Sequence, residues 1–261
     1  MIHLLDSITD AAEAHTGGVA VSGSHGGLYP AAIASARGLK AAIFNDAGVG
    51  LDEAGVAGVM ALGRIGVPAA AVDCMSARIG DAAETSRGVI SMINTAAMAY
   101  RVTFGMDAAE AARRFLAADE PEERLAPPEE ARREVEIGDL RVILADSASL
   151  VTPEDADAVI ITGSHGGLIG GDPARALKAP SARLAVFNDA GMGKDQVGAA
   201  RLPSLDQRDT PAVTVSAMSA RIGDAASALE TGVISACNEA ADRRGLRMKM
   251  PLKDALAIVS G

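Results

Sequence analysis

Two identical six-residue stretches place a histidine where it could do acid–base chemistry. Residues 23–28 and 163–168 both read Gly-Ser-His-Gly-Gly-Leu, and two of the chain's four histidines, His25 and His165, lie in them. An imidazole can act as a general base near neutral pH or bind a metal ion. We interpret His25 and His165 as catalytic acid–base groups. The alternative is a buried, hydrogen-bonded histidine without a chemical role.

The residues around each histidine suit the binding of a small polar or anionic group. Two glycines after a histidine permit positive φ and a close backbone approach. Backbone N–H groups at a helix N-terminus can then bind an anion. The serine before the histidine could hydrogen-bond a substrate, or it could only cap the helix. The predicted substrate-binding residues of this motif are Ser24, Gly26, Gly27, Ser164, Gly166 and Gly167.

A second repeated stretch supplies a carboxylate. Residues 44–48 and 187–191 both read Phe-Asn-Asp-Ala-Gly. We predict that Asp46 and Asp189 lie beside a histidine, orient its ring and raise its basicity, as the third group of a nucleophilic site does. An Asx-type turn is the alternative. One histidine in each copy of the six-residue motif, without the dense ligand spacing of a metal centre, predicts no metal and no other cofactor.

The longest repeated stretch carries an arginine and a serine. Residues 75–83 and 218–226 both read Met-Ser-Ala-Arg-Ile-Gly-Asp-Ala-Ala. The guanidinium groups of Arg78 and Arg221 suit a substrate carboxylate, and an internal Arg–Asp pair is the alternative. Ser76 and Ser219 are candidate nucleophiles or substrate donors. A nucleophilic Cys74, which has no counterpart in the other copy, is a further alternative.

All three motifs recur 140 or 143 positions later and in the same order, which indicates an internal duplication. The copies differ along the intervening segments but are identical in these motifs. The two halves also differ beside the motifs, where Tyr29 and Cys74 of the first copy stand opposite Ile169 and Ala217 of the second. Such differences would let the halves act differently on an asymmetric substrate.

Short apolar runs precede the motifs and predict buried strands. These runs span residues 2–5, 18–22, 39–44 and 68–72 in the first copy and 140–145, 158–162, 183–187 and 211–215 in the second. Helices are predicted over 29–37, 52–65, 81–101 and 107–118, with counterparts over 194–202, 224–243 and 252–259. Alternating strands and helices predict an α/β fold of two pseudo-symmetric repeats, each a mainly parallel sheet flanked by helices, Rossmann-like or flavodoxin-like. The motifs would then lie at the carboxyl edge of each sheet, where ligands bind.

The predicted organisation is a first α/β repeat over 1–118, an acidic, proline-containing linker over 119–137 and a second repeat over 138–261. We expect the linker to be a solvated connector with a short helix. We expect the two repeats to face one another with their motif loops around one shared cleft.

Composition and net charge exclude some classes of binding partner. The net charge of −10 argues against nucleic acid and anionic membranes, and no apolar run is long enough to span a bilayer. Two cysteines fit a reducing compartment, and the first residues lack the pattern of a signal peptide. We therefore expect a cytoplasmic protein. Aromatic residues make up only 2% of a chain rich in alanine and glycine, which favours a homo-oligomer that buries further helix surface.

These residues predict an enzyme that acts on a small polar or anionic substrate between the repeats. Hydrolysis of a C–N bond in an amide or cyclic amide is the leading reaction, with a serine or an activated water as nucleophile. An isomerase, racemase or lyase that uses paired bases is the first alternative. A protein that binds a small ligand without turnover is the second.

Overall fold

The computed structural model describes residues 1–126 and 128–260, so Pro127 of the predicted linker and Gly261 of the second repeat lie outside the described residues. The chain forms two sheets, one in each half. We define the first half as residues 1–118 and the second half as residues 132–260. The strands of the first half are β1 (Ile2–Leu5), β2 (Val19–His25), β3 (Ala41–Asn45), β4 (Ala69–Val72) and β5 (Ile90–Ile93). Those of the second half are β6 (Arg132–Ile137), β7 (Leu140–Ala145), β8 (Val159–His165), β9 (Leu184–Asn188), β10 (Ala212–Val215) and β11 (Ile234–Cys237).

The strand order is the same in both halves. The first sheet runs β1-β2-β3-β4-β5, and the second runs β7-β8-β9-β10-β11 with β6 added beside β7. The first four strands of each series are parallel, and the last is antiparallel to its neighbour. The predicted α/β class, with two mostly parallel sheets flanked by helices, is confirmed. The order is sequential, whereas Rossmann and flavodoxin sheets reverse direction at a switch point.

Helices cover both faces of each sheet. They are α1 (Leu28–Ala36), α2 (Ala57–Arg64), α3 (Ala82–Arg87), α4 (Thr95–Ala99), α5 (Ala108–Phe115), α6 (Arg201–Asp206), α7 (Ala225–Thr231), α8 (Glu239–Arg243) and α9 (Leu252–Ser260). In the first half, α1 and α2 pack on one face and α4 and α5 on the other. Alanine-rich strands such as β4 let these helices pack closely on the sheet. Within the described residues, no helix has both the length and the apolar character needed to cross a membrane.

The long helices predicted over 81–101 and 224–243 are wrong. In each half a short helix ends before a glycine, a four-residue antiparallel strand follows, and a second short helix begins after it. A β-carbon at Gly88 would lie 2.9 Å from the Val72 side chain, so the chain turns close against β4 at this point. The β-branched residues after the glycine then extend as a strand.

Two other segments differ from the prediction. The last six residues of the predicted linker form β6, which pairs with β7 along its whole length. The described residues between 119 and 131 form no helix. In the second half, the place of α1 is taken by two 3₁₀ turns, Ile169–Gly171 and Pro173–Arg175. Two glycines with positive φ interrupt the backbone there, and Pro173 favours a new turn.

The halves contact each other through the loops at the carboxyl ends of their strands. Gly48 and Gly191 meet at the centre, where a β-carbon on Gly48 would lie 2.6 Å from Gly191 Cα. Four buried apolar side chains surround this point: Ala47, Ile79, Ala190 and Ile222. Paired backbone hydrogen bonds cross the contact in both directions, Leu51 N–H to Ala217 O and Lys194 N–H to Cys74 O, each at 2.8 Å.

Candidate functional site

A cavity of about 580 Å³ lies between the halves, and we call it the central cavity. The carboxyl ends of β2 and β8 both reach it, because residues 24–25 and 164–165 line it. A third contribution comes from residues 128–130, in the segment that joins the halves. The structure therefore brings two copies of the serine–histidine pair and part of the predicted linker to one place.

His25 is the last residue of β2 and has one defined tautomer. Its Nδ1 accepts a hydrogen bond from the Gly27 N–H at 3.1 Å, so the neutral ring carries its proton on Nε2. Burial lowers the pKa of the imidazole to about 4. The cavity reaches the ring, but protein surrounds it on its other sides, including Gly223 of the second half. At neutral pH His25 is an uncharged ring that carries an Nε2–H donor.

His165 occupies the equivalent place in the second half but lacks that bond. Its Nδ1 is buried and has no hydrogen-bond partner among the described residues, although Gly167 lies close by. Burial holds the pKa of His165 well below its usual value, and the positive charge of Arg201 and the nearby His25 lower it further. The two imidazoles thus share a cavity and are both neutral, but they are held differently.

Ser24 and Ser164 also line the cavity in equivalent ways. Ser24 Oγ accepts from the Ile8 N–H at 3.0 Å, and Ser164 Oγ accepts from the Ala148 N–H at 2.8 Å. Neither serine caps α1, whose N-cap is Gly27. Because each oxygen accepts a backbone proton, its own hydroxyl proton is free to be donated to a ligand.

The predicted anion nest at the glycine pairs is wrong. The Gly26 and Gly166 N–H groups donate to Asn45 O and Asn188 O, at 2.9 and 2.8 Å, and are not free to bind an anion. Gly26, Gly27, Gly166 and Gly167 do not have positive φ. Close packing requires them instead, since a β-carbon at Gly26 would lie 2.8 Å from a Val59 methyl.

The predicted pairing of Asp46 and Asp189 with the histidines is also wrong. Asp46 Oδ1 accepts from the N–H groups of Gly48 and Cys74, at 2.9 and 3.0 Å. Asp189 makes the equivalent bonds in the second half. Neither carboxylate lines the central cavity. Their role here is the Asx-type turn that holds the loops where Gly48 and Gly191 meet.

Ser76 and Ser219 are hydrogen-bonded within their own loops. Ser76 Oγ donates to Asp73 O at 2.8 Å and accepts from Val89 N–H at 3.0 Å. Ser219 does the same with Ser216 and Val233. Neither lines the cavity, so the structure does not bring them to the histidines.

Arg78 and Arg221 form reciprocal ion pairs across the halves. Arg78 Nη2 lies 2.6 Å from Asp195 Oδ2, and Arg221 Nη1 lies 3.0 Å from Asp52 Oδ2. Asp52 and Asp195 occupy equivalent positions in the duplication, as the two arginines do. Arg221 borders the cavity and Arg78 does not. The alternative of a protein-internal Arg–Asp pair describes both.

Arg201 is a cavity residue that sequence reasoning missed. Its side chain is buried and donates to the carbonyl oxygens of Gly167 and Ala176, at 3.2 and 2.6 Å. Its guanidinium carbon lies 5.0 Å from the centre of the Phe187 ring. Burial lowers the pKa of Arg201 to about 10, which leaves it charged at neutral pH. The position equivalent to Arg201 is Gly58, so the signal was a difference between the copies.

Glu130 is the second missed residue, and it comes from the connecting segment. Burial raises the pKa of its carboxyl above the ordinary value, and the charge of Asp146 adds to this. The hydroxyls of Tyr29 and Ser147 lie close enough to favour its ionised form and partly offset the rise. A half-buried carboxyl with a raised pKa is a candidate for proton transfer in catalysis.

One group of side chains outside the cavity could approach a metal ion. Single ligand atoms of Asp46, Asp73 and Cys74 lie within 4.8 Å of one another. However, both Asp46 oxygens already accept hydrogen bonds. Burial, with the charges of Asp46 and Asp73, raises the pKa of Cys74 to about 12. The thiol is therefore protonated at neutral pH, which does not suit a nucleophile.

Comparison of the chain with protein-family models, curated proteins and solved structures gives no significant match.

Proposed function

We propose that the protein is an enzyme that hydrolyses a C–N bond in a small polar or anionic amide or cyclic amide, with its site in the central cavity. The observation that carries the proposal is the composition of this cavity. A half-buried carboxyl with a raised pKa, Glu130, lines it together with the neutral imidazoles of His25 and His165. A proton acceptor and uncharged hydrogen-bond donors are what hydrolysis by water requires.

Glu130, His25 and Ser24 have separate roles in the proposed hydrolysis. Ionised Glu130 takes a proton from a water molecule as its oxygen adds to the substrate carbonyl carbon. The Nε2–H of His25 and the hydroxyl of Ser24 donate to the carbonyl oxygen as it gains negative charge. Protonated Glu130 then returns its proton to the substrate nitrogen as the C–N bond breaks. With a pKa of about 4, His25 is a weak base, and its role here is donation.

Turnover of a defined panel tests this proposal. Succinimide, hydantoin and succinamate are incubated with the purified full chain, and ring opening or ammonia release is measured. We expect hydrolysis of at least one of them, and a fall in kcat of about 10²–10⁴-fold in Glu130→Gln. Glu122→Gln, which changes an exposed residue of the same segment, is the matched control. Hydrolysis with full activity in Glu130→Gln, or no hydrolysis of any of the three, would contradict the proposal.

A second candidate is proton-transfer chemistry of the isomerase, racemase or lyase type. The placement of two pseudo-symmetric imidazoles around one cavity favours it, since two bases could act on opposite sides of one carbon. Their lowered pKa values count against it, because a weaker base removes a carbon-bound proton more slowly. Incorporation of solvent deuterium into a substrate without bond cleavage would support this candidate. Binding without either reaction would support a ligand-binding protein.

The proposal also covers the assembly and the location of the protein. We propose a homo-oligomer, because Phe104, Met218 and Met248 each expose more than 60% of their surface. Light scattering at micromolar concentration tests this, and a clean monomer would contradict it. We also propose a reducing, cytoplasmic location, with which the free thiols of Cys74 and Cys237 are compatible.

A further inference from the structure

We propose that Arg201 forms an anion subsite of the central cavity, and that the substrate is a small carboxylate whose carboxyl group binds there. The inference deepens the proposed function and rests on it for the identity of the bound molecule as substrate. The burial of Arg201, its hydrogen bonding and the charges around it in the cavity support the subsite itself.

Arg201 is a buried cation without a carboxylate partner among the described residues. Only 2% of its surface is exposed. Its Nε and Nη1 donate to main-chain carbonyls, and Nη2 has no acceptor in the described part of the chain and is not completely covered. A buried charge is costly unless it is paired. The free Nη2 is the atom that a bound anion would contact.

The other charges of the cavity are distributed unevenly. Asp52 and Asp224 pair with Arg221, and Asp146 accepts from the N–H groups of Ala131 and Ala225. By contrast, Arg175 and Lys178 also line the cavity, and neither has a carboxylate partner among the described residues. Glu129 and Glu130 of the connecting segment also line the cavity, so the excess of positive charge is confined to the lining residues of the second half, at Arg201, Arg175 and Lys178.

The duplication fixes the direction in which a substrate would lie. The first half has Gly58 at the position of Arg201, and so has no equivalent subsite. A substrate carboxylate would bind to the second half, with the rest of the molecule extending toward Glu130 and His25. Because Nε and Nη1 of Arg201 already donate to main-chain carbonyls, only Nη2 is left for a ligand, which suits a carboxylate oxygen better than the several oxygens of a phosphate.

Binding of malonate and of its neutral diamide, malonamide, tests the subsite by titration calorimetry on the full chain. The two molecules have nearly the same shape and differ in charge. We expect malonate to bind roughly 10–100-fold more tightly than malonamide, as a charge-assisted hydrogen bond to a buried partner allows. Arg201→Met should abolish that preference, and Arg201→Lys should retain part of it. The control Arg243→Met, which changes an exposed ion pair with Asp209 outside this cavity, should leave it unchanged.

Equal binding of the two molecules, a full preference in Arg201→Met, or tighter binding of inorganic phosphate than of malonate would each overturn the inference. A crystal structure of the natural protein with malonate gives the same answer if Arg201→Met does not fold. A carboxylate within hydrogen-bond distance of the Arg201 guanidinium supports the inference, and one bound elsewhere overturns it. Malonate has no C–N bond, so these results are independent of turnover. Malonate bound at Arg201 without any amide hydrolysis would leave the subsite standing and refute the hydrolase.

Discussion

Arg78 of the first half and Asp195 of the second form an ion pair in which both Nε and Nη2 donate to one carboxylate oxygen, at 3.1 and 2.6 Å. Arg221 and Asp52 form the reciprocal pair. Each half therefore supplies one arginine and one aspartate to the contact between the halves. The residues that are identical in the two copies mainly build this mutual contact.

Because these pairs are exposed, they should add little to stability. Arg78→Gln should slightly lower the melting temperature at low ionic strength, and the difference from the natural protein should vanish at 1 M salt, which screens exposed charges. Asp195→Asn should behave in the same way. Differential scanning calorimetry at two salt concentrations measures this. A large loss that persists at high salt would mean that the pair acts through packing rather than charge.

The close contact of Gly48 with Gly191 should contribute more to stability than these ion pairs do. Gly48→Ala places a methyl group 2.6 Å from Gly191 Cα at a residue with φ of +70°. Strain and overpacking together should lower the free energy of unfolding by about 3 kcal/mol or more. Gly66→Ala is the matched control, because Gly66 has φ of +75° and nothing within 4 Å. It should cost only the backbone term of about 1 kcal/mol. Equal losses in urea denaturation would show that the halves do not depend on this contact.

Stability should fall as the pH falls from 7.5 to 5, in part through His25. Its folded-state pKa of about 4 lies below the ordinary value of 6.5, so the unfolded chain binds a proton first. The stabilisation that comes from keeping the imidazole neutral is fully present above about pH 6.5. It is lost as the pH falls from about 6.5 to 4. The expected contribution between pH 7.5 and 5 is about 2 kcal/mol. Urea denaturation at both pH values should show a correspondingly smaller pH dependence in His25→Asn. An unchanged dependence would mean that His25 does not titrate in this way.

Cys74 should be unreactive and dispensable for turnover. It is 6% exposed, and its thiol has a pKa raised to about 12 by burial and two aspartates. Iodoacetamide at pH 8 should leave Cys74 unmodified in the folded protein and alkylate it in urea, as mass spectrometry can follow. Cys74→Ala, which copies Ala217 of the other half, should keep kcat unchanged. Rapid alkylation of Cys74 in the folded protein, or loss of turnover in the variant, would contradict this prediction and support Cys74 as a nucleophile.

Much of the fold could be read from the sequence, because the duplication marks equivalent strands twice. Four parallel strands in each half and the docking helix at 252–260 follow from apolar runs and their repetition. The antiparallel β5 and β11 could not be predicted. Four-residue strands are too short to show an alternating pattern, and alanine-rich flanks resemble helix. The result was one predicted helix where the chain forms a helix, a strand and a second helix.

Fewer of the cavity residues could be predicted, because identity between the copies also marks residues that join the halves. Identity between the copies singled out Asp46, Ser76 and Arg78, and the structure places these in the loops that join the halves. In contrast, Arg201 stands where the first copy has Gly58, and Glu130 lies in the connecting segment outside both copies. Arg201 reaches the cavity from the buried start of α6, and Glu130 reaches it from the connecting segment. Neither position carries a local sequence motif. The difference from Gly58 is a signal for Arg201, whereas Glu130, outside both copies, has no such signal.

We propose above that both halves contribute to one site. The most direct test is a titration of Glu130→Gln with succinamate, which carries a carboxylate and an amide, followed by imidazole nitrogen NMR of the four histidines. We expect the His25 and His165 signals to shift together, with one dissociation constant and one equivalent per chain, while the His3 and His15 signals stay in place. Saturation at two equivalents, or a response from only one of the two cavity histidines, would contradict the shared site.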